Sequence, residues 1–266
     1  MAVFLLISGC NGLLQTEQRE EALTPVPDTP TPASNAIPGV VNGRLAAPFD
    51  LTDAHRSWLS GRSYTITERV TVRNGTRSSY ERARRVQWAG DDTGGYLATS
   101  RERPFSGCEG PDRTVRVERY ATSDEVYSNR SRCGRESIGL LRAPDGDPAD
   151  PRRFVPLEPT SYEFLSGVLP GPTAEEWQVS TVRSGSFRLS APLSGYSAPS
   201  FPFLKGEASA RNASITLRVT DDGFVSDLRI RYTLVTSESR YTVVHTRTYD
   251  AVGETTVTRP EWVPEE

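Results

Sequence analysis

The sequence predicts an α+β protein built mainly from an antiparallel β-sheet with a few short helices. Three observations indicate this class. Beyond residue 60 apolar residues alternate with polar ones along much of the chain, which is the period of half-buried strands. Asn74-Gly75 marks a tight hairpin turn between two such strands. Helical periodicity is confined to two short stretches, and a hydrophobic fraction of 36% is sufficient for a core.

The two helical stretches are residues 50–60 and residues 160–169. In the first, Asp50 or Thr52 would cap the helix, apolar residues share one face, and Gly61 would end it. In the second, Pro170 would stop a helix with a strongly apolar face. Residues 145–159 and 191–202 are rich in proline and are predicted to be loops, the second of them a flap.

Strand signals occupy most of the remaining chain. The first group comprises Tyr64–Val72, Tyr80–Trp88, Tyr96–Ser100, Thr114–Ala121 and Val126–Ser128. A second group predicts a four-strand antiparallel meander at Ile215–Val219, Phe224–Val235, Tyr241–Tyr249 and Glu254–Thr258. Residues 49–263 are therefore expected to form a single antiparallel-sheet domain.

The first ten residues resemble a lipoprotein signal. An apolar run, Ala2–Ile7, ends in Ser8-Gly9-Cys10, where small side chains admit a signal peptidase and the thiol accepts diacylglycerol. We expect residues 1–9 to be a signal peptide and Cys10 to be lipidated. The run is short and lacks a positively charged segment, which predicts a natural start further upstream. A frayed N-terminus with a chance cysteine is the alternative.

Residues 10–48 are expected to be a tether. They contain the repeated pairs Thr24-Pro25, Thr29-Pro30 and Thr31-Pro32, and proline at this density favours extended polyproline segments. A generic disordered N-terminus would have the same composition, so only the position directly after Cys10 favours a tether. No later segment has the ~18 consecutive apolar residues of a membrane span. The expected location is the extracytoplasmic face of a cell membrane, through the lipid anchor.

Two further cysteines, Cys108 and Cys133, lie in turn-like settings. An even pair in an exported domain predicts a disulfide, which would stabilise the fold by about 3.5 kcal/mol on the chain-entropy model. Free thiols are the alternative, and a metal site lacks nearby ligands. Asn74, Asn129 and Asn212 begin glycosylation sequons, which are compatible with export.

The composition excludes several function classes. A formal net charge of −3 with no basic block argues against nucleic acid as a partner. Of 31 Lys and Arg only Lys205 is lysine, a bias that a GC-rich genome or salty surroundings would each explain. No Gly-x-Ser-x-Gly, His-Glu-x-x-His or phosphate-binding glycine loop occurs. We expect no enzyme, cofactor or metal centre, and we interpret His55 and His245 as surface or core residues.

The order of these features resembles a known family. The lipobox and tether are followed by Ser60-Gly61-Arg62-Ser63-Tyr64, and the last strands carry Asp222-Gly223-Phe224-Val225 and Arg259-Pro260-Glu261-Trp262. This pattern resembles haloarchaeal lipoproteins of unknown function. It is more distantly similar to lipoprotein carriers and mycobacterial lipid-binding lipoproteins. The resemblance implies a curved antiparallel half-barrel with helices on its concave side, and it provides no active site.

A half-barrel of this kind would leave an apolar concavity that binds a lipid or another apolar ligand. The candidate ligand-binding residues are Tyr162, Phe164, Leu165, Val168, Leu169, Phe201 and Phe203. Ordinary core packing is the alternative for each of them. A passive envelope protein with a filled core and an unidentified protein partner is the second hypothesis. A surface hydrolase is the third, and it would need His55 or His245 within reach of a hydroxyl or carboxylate in a cleft.

Overall fold

We describe the protein from a computed structural model. The described residues are 37–90, 95–104, 108, 113–142, 151–158, 160–183, 185–197, 199–204 and 207–265. The predicted signal peptide, Cys10 and most of the predicted tether lie outside these residues. The described residues belong to one compact unit.

Thirteen strands, two α-helices and one 3₁₀ helix make up the described fold. The helices are α1 (Pro48–Leu59) and α2 (Tyr162–Val168), and the 3₁₀ helix spans Pro151–Phe154. The first eight strands are β1 (Val40–Val41), β2 (Arg44–Leu45), β3 (Tyr64–Asn74), β4 (Arg77–Trp88), β5 (Tyr96–Arg103), β6 (Val115–Ala121), β7 (Val126–Arg132) and β8 (Arg135–Leu141). The last five are β9 (Gln178–Arg183), β10 (Ser186–Pro192), β11 (Ser209–Thr220), β12 (Val225–Val235) and β13 (Arg240–Asp250).

Eleven strands form one open antiparallel sheet in the order β8-β7-β6-β5-β4-β3-β13-β12-β11-β10-β9. The sheet consists of two meanders, β3 to β8 and β9 to β13, which join where β3 pairs with β13. At this junction Val70 faces His245 and Glu68 faces Arg247. The sheet is curved and does not close, so the predicted α+β half-barrel class is confirmed.

Successive side chains of each strand point to opposite faces of the sheet. Alternate residues of β3, such as Ile66 and Val72, are fully buried. Both helices lie on this side, since His55 of α1 contacts Tyr249 and Phe164 of α2 contacts His245. We call it the inner face and the opposite, solvated side the outer face.

Helix α1 begins two residues before its prediction. Pro48 occupies the first turn, where its fixed φ suits a helix and its missing N–H costs nothing. Neither Asp50 nor Thr52 caps the helix: Asp50 lies within the first turn, and Thr52 donates a hydrogen bond to the Pro48 carbonyl at 3.1 Å. The chain leaves the helix at Gly61, whose φ is +71°, a value that glycine adopts without strain.

Helix α2 is short, and a residue that precedes it in sequence caps its N-terminus. The Glu158 carboxylate accepts hydrogen bonds from the backbone N–H groups of Tyr162 and Glu163, at 2.7 Å and 2.9 Å. A carboxylate at this end also complements the positive end of the helix dipole. Ser161, the residue before the helix, has a left-handed φ of 50°. The predicted helix at 160–169 is therefore present at Tyr162–Val168.

Three boundaries differ from prediction. Ile37, Val40 and Leu45, placed in the tether, are buried in the main apolar cluster, so the folded part begins before residue 49. Residues 254–258 form no strand, because β13 already pairs with β12 and β3 on its two sides. The edge strands β8 and β9 were not predicted, and neither were β10 beside β9 or the two-residue strands β1 and β2.

Cys108 and Cys133 form the predicted disulfide, with a Cα–Cα distance of 5.4 Å. It attaches the turn between β7 and β8 to the segment that precedes β6. Asn74 and Asn212 are exposed and Asn129 is half-buried. No helix among the described residues is long and apolar enough to cross a bilayer.

Candidate functional site

Six of the seven predicted ligand-binding residues come together on the inner face. Leu165, Leu169 and Phe201 are buried in one apolar cluster with the inner side chains of β10 to β13. Phe164, Val168 and Phe203 are partly buried against the same cluster. Tyr162 lies elsewhere, with the guanidinium carbon of Arg56 4.3 Å from the centre of its ring.

The segment 193–204 packs against part of this cluster. It overlaps the loop predicted at 191–202, of which Ala191 and Pro192 belong to β10 instead. The rings of Phe201 and Phe203 lie 5.6 Å apart, and each packs against Tyr80 of β4, at 5.6 Å and 5.5 Å. Phe203 also contacts Tyr241 of β13 at 5.8 Å. Aromatic contacts therefore attach the segment to both meanders of the sheet.

The protein's own side chains occupy the space under α2 in this conformation. Leu165 and Leu169 are 2% and 0% exposed, and Trp177, which follows the helix, is 2% exposed. These side chains meet Leu189 and Leu217 of the sheet within one cluster. A ligand that entered here would have to displace α2 or the segment 193–204.

A group of charged side chains lies beside the apolar cluster, centred on Glu68 of β3, which is only 2% exposed. The Glu68 carboxylate accepts hydrogen bonds from Nε of Arg247 at 3.0 Å and contacts its Nη2 at 2.9 Å. Its other contacts are Nε2 of His245 at 3.0 Å, Arg82 at 3.4 Å and Arg84 at 3.6 Å. We call these five residues the Glu68 cluster.

The surroundings keep Glu68 ionised. Burial alone would raise its pKa, but the hydrogen bond with His245 and the charges of Arg247 and Arg82 outweigh burial and hold the pKa at about 2. Burial and the neighbouring charge of Arg82 lower the pKa of Arg84. Removing the carboxylate would leave like charges facing each other in a poorly hydrated place.

Positive charge exceeds negative charge in the Glu68 cluster, since three arginines surround one carboxylate. The Arg82 and Arg84 side chains remain 28% exposed. Their Nε atoms are buried without a hydrogen-bond partner. The described residues thus leave buried donors of the cluster unsatisfied, and likewise the buried Oε1 of Glu102, which lies opposite Arg82.

Ser161 connects α2 to the Glu68 cluster. Its hydroxyl oxygen accepts hydrogen bonds from Nη1 of Arg247 at 2.9 Å and from the hydroxyl of Tyr249 at 2.8 Å. The Arg247 guanidinium also lies 3.9 Å from the ring centre of Phe164, a cation–π contact. A movement of α2 would therefore change the surroundings of Arg247.

The two histidines make separate contacts on the inner face. His55 is fully buried between the rings of Phe224 and Tyr249, and its Nδ1 accepts a hydrogen bond from the Val225 N–H at 3.2 Å. Burial lowers the pKa of His55 to about 4, although the nearby Thr160 backbone opposes the shift. This geometry places His55 in the core.

A hydrolase would need a histidine within reach of a hydroxyl or carboxylate in a cleft. His245 does lie 3.0 Å from the Glu68 carboxylate. That carboxylate is already bound by arginines, and the nearby hydroxyl of Ser161 contacts Arg247 and Tyr249. His245 and Glu68 are both buried. The pair has the geometry of a buried structural hydrogen bond.

Sequence reasoning missed the Glu68 cluster, although a signal was present. Glu68 lies between Ile66 and Val70 at an inward position of β3. Arg82 and Arg84 occupy the corresponding positions of β4, between Tyr80 and Val86. Charged residues at inward positions of a period-two strand indicate a buried ionic group.

The geometry defines an open, antiparallel half-barrel with helices on its inner face. Among solved structures, LprF from Mycobacterium bovis is similar with a TM-score of 0.38 and 15% identity, covering 80% of this chain and 96% of that chain. A LolA superfamily protein from Nitrosomonas europaea is similar with a TM-score of 0.24 and 6% identity, covering 78% and 93%. A DUF1329 family protein from Desulfovibrio piger has a TM-score of 0.27 and 6% identity, covering 81% and 94%.

No family model matches the sequence. No curated protein matches it either. The LolA superfamily fold is thus represented among the similar structures, whereas membership of a haloarchaeal lipoprotein family stays a prediction. Scores this low assign no ligand and no residue role to this chain.

Proposed function

We propose that the protein is a non-enzymatic lipoprotein, anchored through Cys10 on the extracytoplasmic face of a cell membrane, that binds a lipid or similar apolar ligand on its inner face. The observation that carries the proposal is the contact between the apolar cluster under α2 and the positively charged Glu68 cluster. An amphipathic molecule with an acidic headgroup has the same two parts. Its acyl chain would lie against the apolar cluster and its headgroup near Arg82 and Arg84.

The apolar part of the proposed site is covered by elements that are weak on their own. Helix α2 has seven residues, and an isolated helix of that length is not stable in water. The rings of Tyr196, Phe201 and Phe203 attach the segment 193–204 to the sheet, together with a backbone hydrogen bond of Leu193. An acyl chain would replace these ring contacts with apolar contacts of a similar kind, so exchange between the two costs little buried area.

The charged part supplies the orientation of the ligand. Arg82 and Arg84 are partly exposed and have Nε donors without partners. A carboxylate or phosphate accepts such donors well, because a charged hydrogen bond is about twice as strong as a neutral one. The headgroup would compensate the excess positive charge around Glu68.

A fluorescence titration tests the binding site. Dansyl-labelled undecanoic acid and its methyl ester are the two probes, and Arg84→Gln is compared with Arg85→Gln, its neighbour on the outer face. Arg84→Gln is expected to weaken binding of the acid about 10-fold, the effect of one charged hydrogen bond. It should leave the ester unchanged, and Arg85→Gln should change neither. Equal effects of the two substitutions, or no binding of either probe, would contradict the site.

A fractionation experiment tests the anchor. In cells of the native organism the wild-type chain is expected in the membrane fraction and the Cys10→Ser variant in the soluble exported fraction. Cys108→Ser together with Cys133→Ser is the matched control, since it replaces the other two cysteines, which form the disulfide, without touching Cys10. A wild-type chain in the cell interior would overturn the proposed location.

The filled inner face favours a second candidate function, a passive envelope protein that acts through its surface. Leu165, Leu169 and Trp177 are almost fully buried among the other side chains of the apolar cluster. This candidate predicts that neither dansyl probe binds and that a protein partner is recovered by crosslinking on intact cells. The titration described above separates the two candidates.

A further inference from the structure

The outer face of the sheet carries three parallel rows of side chains that the strand register defines. The middle row crosses the sheet from Ser190 of β10 to Glu136 of β8. It contains Arg229 of β12, Arg69 of β3 and Arg101 of β5, all exposed. These three lie on every second strand, so neighbouring arginines are about 10 Å apart. Arginine therefore recurs at a regular spacing across the sheet.

The two flanking rows repeat the pattern. One runs from Arg188 of β10 through Arg218 and Arg85 to Ile138 of β8, and the other from Pro192 through Arg231 to Arg103 of β5. Over the three rows arginine outnumbers Asp and Glu by nine to four. The chain as a whole has a net charge of −3, so positive charge is concentrated on this face.

Most of these arginines are not used by the fold. Among the described residues, Arg103 pairs with Glu81 and Arg116 pairs with Glu118. The other seven arginines of the rows make no ion pair with a described residue. All seven are exposed, and of these Arg218 and Arg229 also interact electrostatically with Asp227, a carboxylate of the same rows.

Two surface grooves lie along the rows, and similar residue types line them. One has a volume of about 510 Å³ and is lined by Arg85, Arg101 and Arg116 around the small side chain of Ala83. The other has a volume of about 440 Å³ and is lined by arginines of β10 to β12, among them Arg188 and Arg229. Threonine and serine hydroxyls line both grooves. Each groove thus offers guanidinium groups together with hydroxyls.

We propose that the outer face binds a linear acidic polysaccharide, whose carboxylates pair with the arginines of the three rows and whose hydroxyls meet the threonines and serines between them. A flexible chain can follow a convex face across several strands, whereas a flat bilayer touches it along a narrow strip. No side chain of the three rows is aromatic, and Tyr120 and Tyr127 lie beside them only near β6 and β7, so a nucleic acid that followed the rows would find few rings for base stacking. This inference does not depend on lipid binding at the inner face.

Isothermal titration calorimetry tests the proposal. It measures the binding of polygalacturonate to the full chain in detergent at low salt. The triple variant Arg69→Gln, Arg101→Gln, Arg229→Gln is expected to bind at least 10-fold more weakly than the wild type. Wild-type binding should weaken steeply as sodium chloride is added, because the attraction is between exposed charges. Neutral dextran should not bind.

A second triple variant, Arg44→Gln, Arg135→Gln, Arg183→Gln, is the matched control. It removes the same charge from exposed positions outside the three rows and is expected to bind like the wild type. Circular dichroism and thermal midpoints establish that both triple variants are folded. An equal loss in the two triple variants would overturn the proposal, as would no binding by the wild type. Binding to phosphatidylglycerol vesicles or single-stranded DNA but not to polygalacturonate would also overturn it, in favour of that partner.

Discussion

Arginine has opposite roles on the two faces of the sheet. On the inner face, Arg82 and Arg84 converge with Arg247 on one buried carboxylate. On the outer face, Arg85 and Arg229 are exposed and make no ion pair with a described residue. Arg84 and Arg85 are neighbours in sequence, so the period of two along β4 alone separates the two roles.

Burial, more than residue type, therefore decides whether an arginine contributes to stability or to binding. A buried guanidinium requires a carboxylate, because an unpaired charge in a poorly hydrated place is costly. An exposed one is hydrated and contributes almost nothing to folding, even when it forms a surface ion pair. Inner arginines should therefore affect stability and outer arginines should affect binding.

The largest expected effect is that of removing the central inner carboxylate. Glu68→Gln leaves Arg82, Arg84 and Arg247 without their counter-charge and should destabilise the protein by about 3–5 kcal/mol. Glu81→Gln, which breaks the exposed pair with Arg103 on the outer face, is the control and should cost less than about 1 kcal/mol. Urea unfolding measures both, and equal losses would refute the distinction between the faces.

Acidification should lower the free energy of unfolding in two steps, and protonation of His55 accounts for the first. Its pKa is about 4 in the folded protein against about 6.5 in an unfolded chain. The unfolded state therefore binds a proton first, so stability is complete above pH 6.5 and falls by about 3 kcal/mol as the pH drops to 4. In the His55→Gln variant this part of the pH dependence should disappear from urea midpoints. An unchanged slope would show that His55 is not the group.

Protonation of Glu68, whose pKa is lowered to about 2, accounts for the second step. Because the folded state holds this carboxylate ionised, its contribution is present above about pH 4.3 and is lost as the pH falls towards 2. Circular dichroism between pH 5 and pH 2 should show a steep loss of structure in the wild type. His55→Gln should retain this step, which separates it from the first.

A smaller effect is expected where α2 meets the Glu68 cluster. Ser161→Ala removes the acceptor shared by Arg247 and Tyr249 and should cost about 1–3 kcal/mol. Ser166→Ala, which loses only a hydrogen bond to the Glu163 carbonyl within α2, is the control and should cost less than about 1 kcal/mol. Chemical denaturation of both variants gives the comparison, and a neutral Ser161→Ala would contradict the role of this contact.

The smallest effect is expected for single arginines of the outer face. Arg229→Gln should change the free energy of unfolding by less than about 0.5 kcal/mol, as surface substitutions usually do. The same substitution should weaken polygalacturonate binding measurably. A large loss of stability here would show that the outer face is part of the folding energetics.

Much of the fold could be predicted from the sequence because one face of most strands is buried. In β12, Leu228, Ile230 and Tyr232 alternate with solvated residues, and the strand was predicted with nearly its observed bounds. The edge strand β8 is exposed along most of its length, so it has no alternation to detect. Residues 254–258 do alternate, but no free sheet edge next to β13 remains for them.

The candidate site could be predicted only in part. The apolar residues of α2, such as Leu165 and Leu169, have a helical period that indicates a shared face, and they do cluster. The Glu68 cluster joins β3, β4 and β13, and Arg247 is 179 residues from Glu68 in sequence. Only the strand register reveals that Glu68 and Arg247 are partners. The core positions of Val40 and Leu45 were hidden by the proline-rich composition that precedes them.

Native mass spectrometry of the protein extracted from its own membranes in a mild detergent examines the anchor and the inner-face ligand in one measurement. We expect a chain that begins at an acylated Cys10 and carries one further, non-covalent lipid, which dissociates on collisional activation and is partly displaced by dansyl-labelled undecanoic acid. A chain with an unmodified N-terminus and no bound lipid in repeated preparations would contradict both the anchor and the function proposed for the inner face.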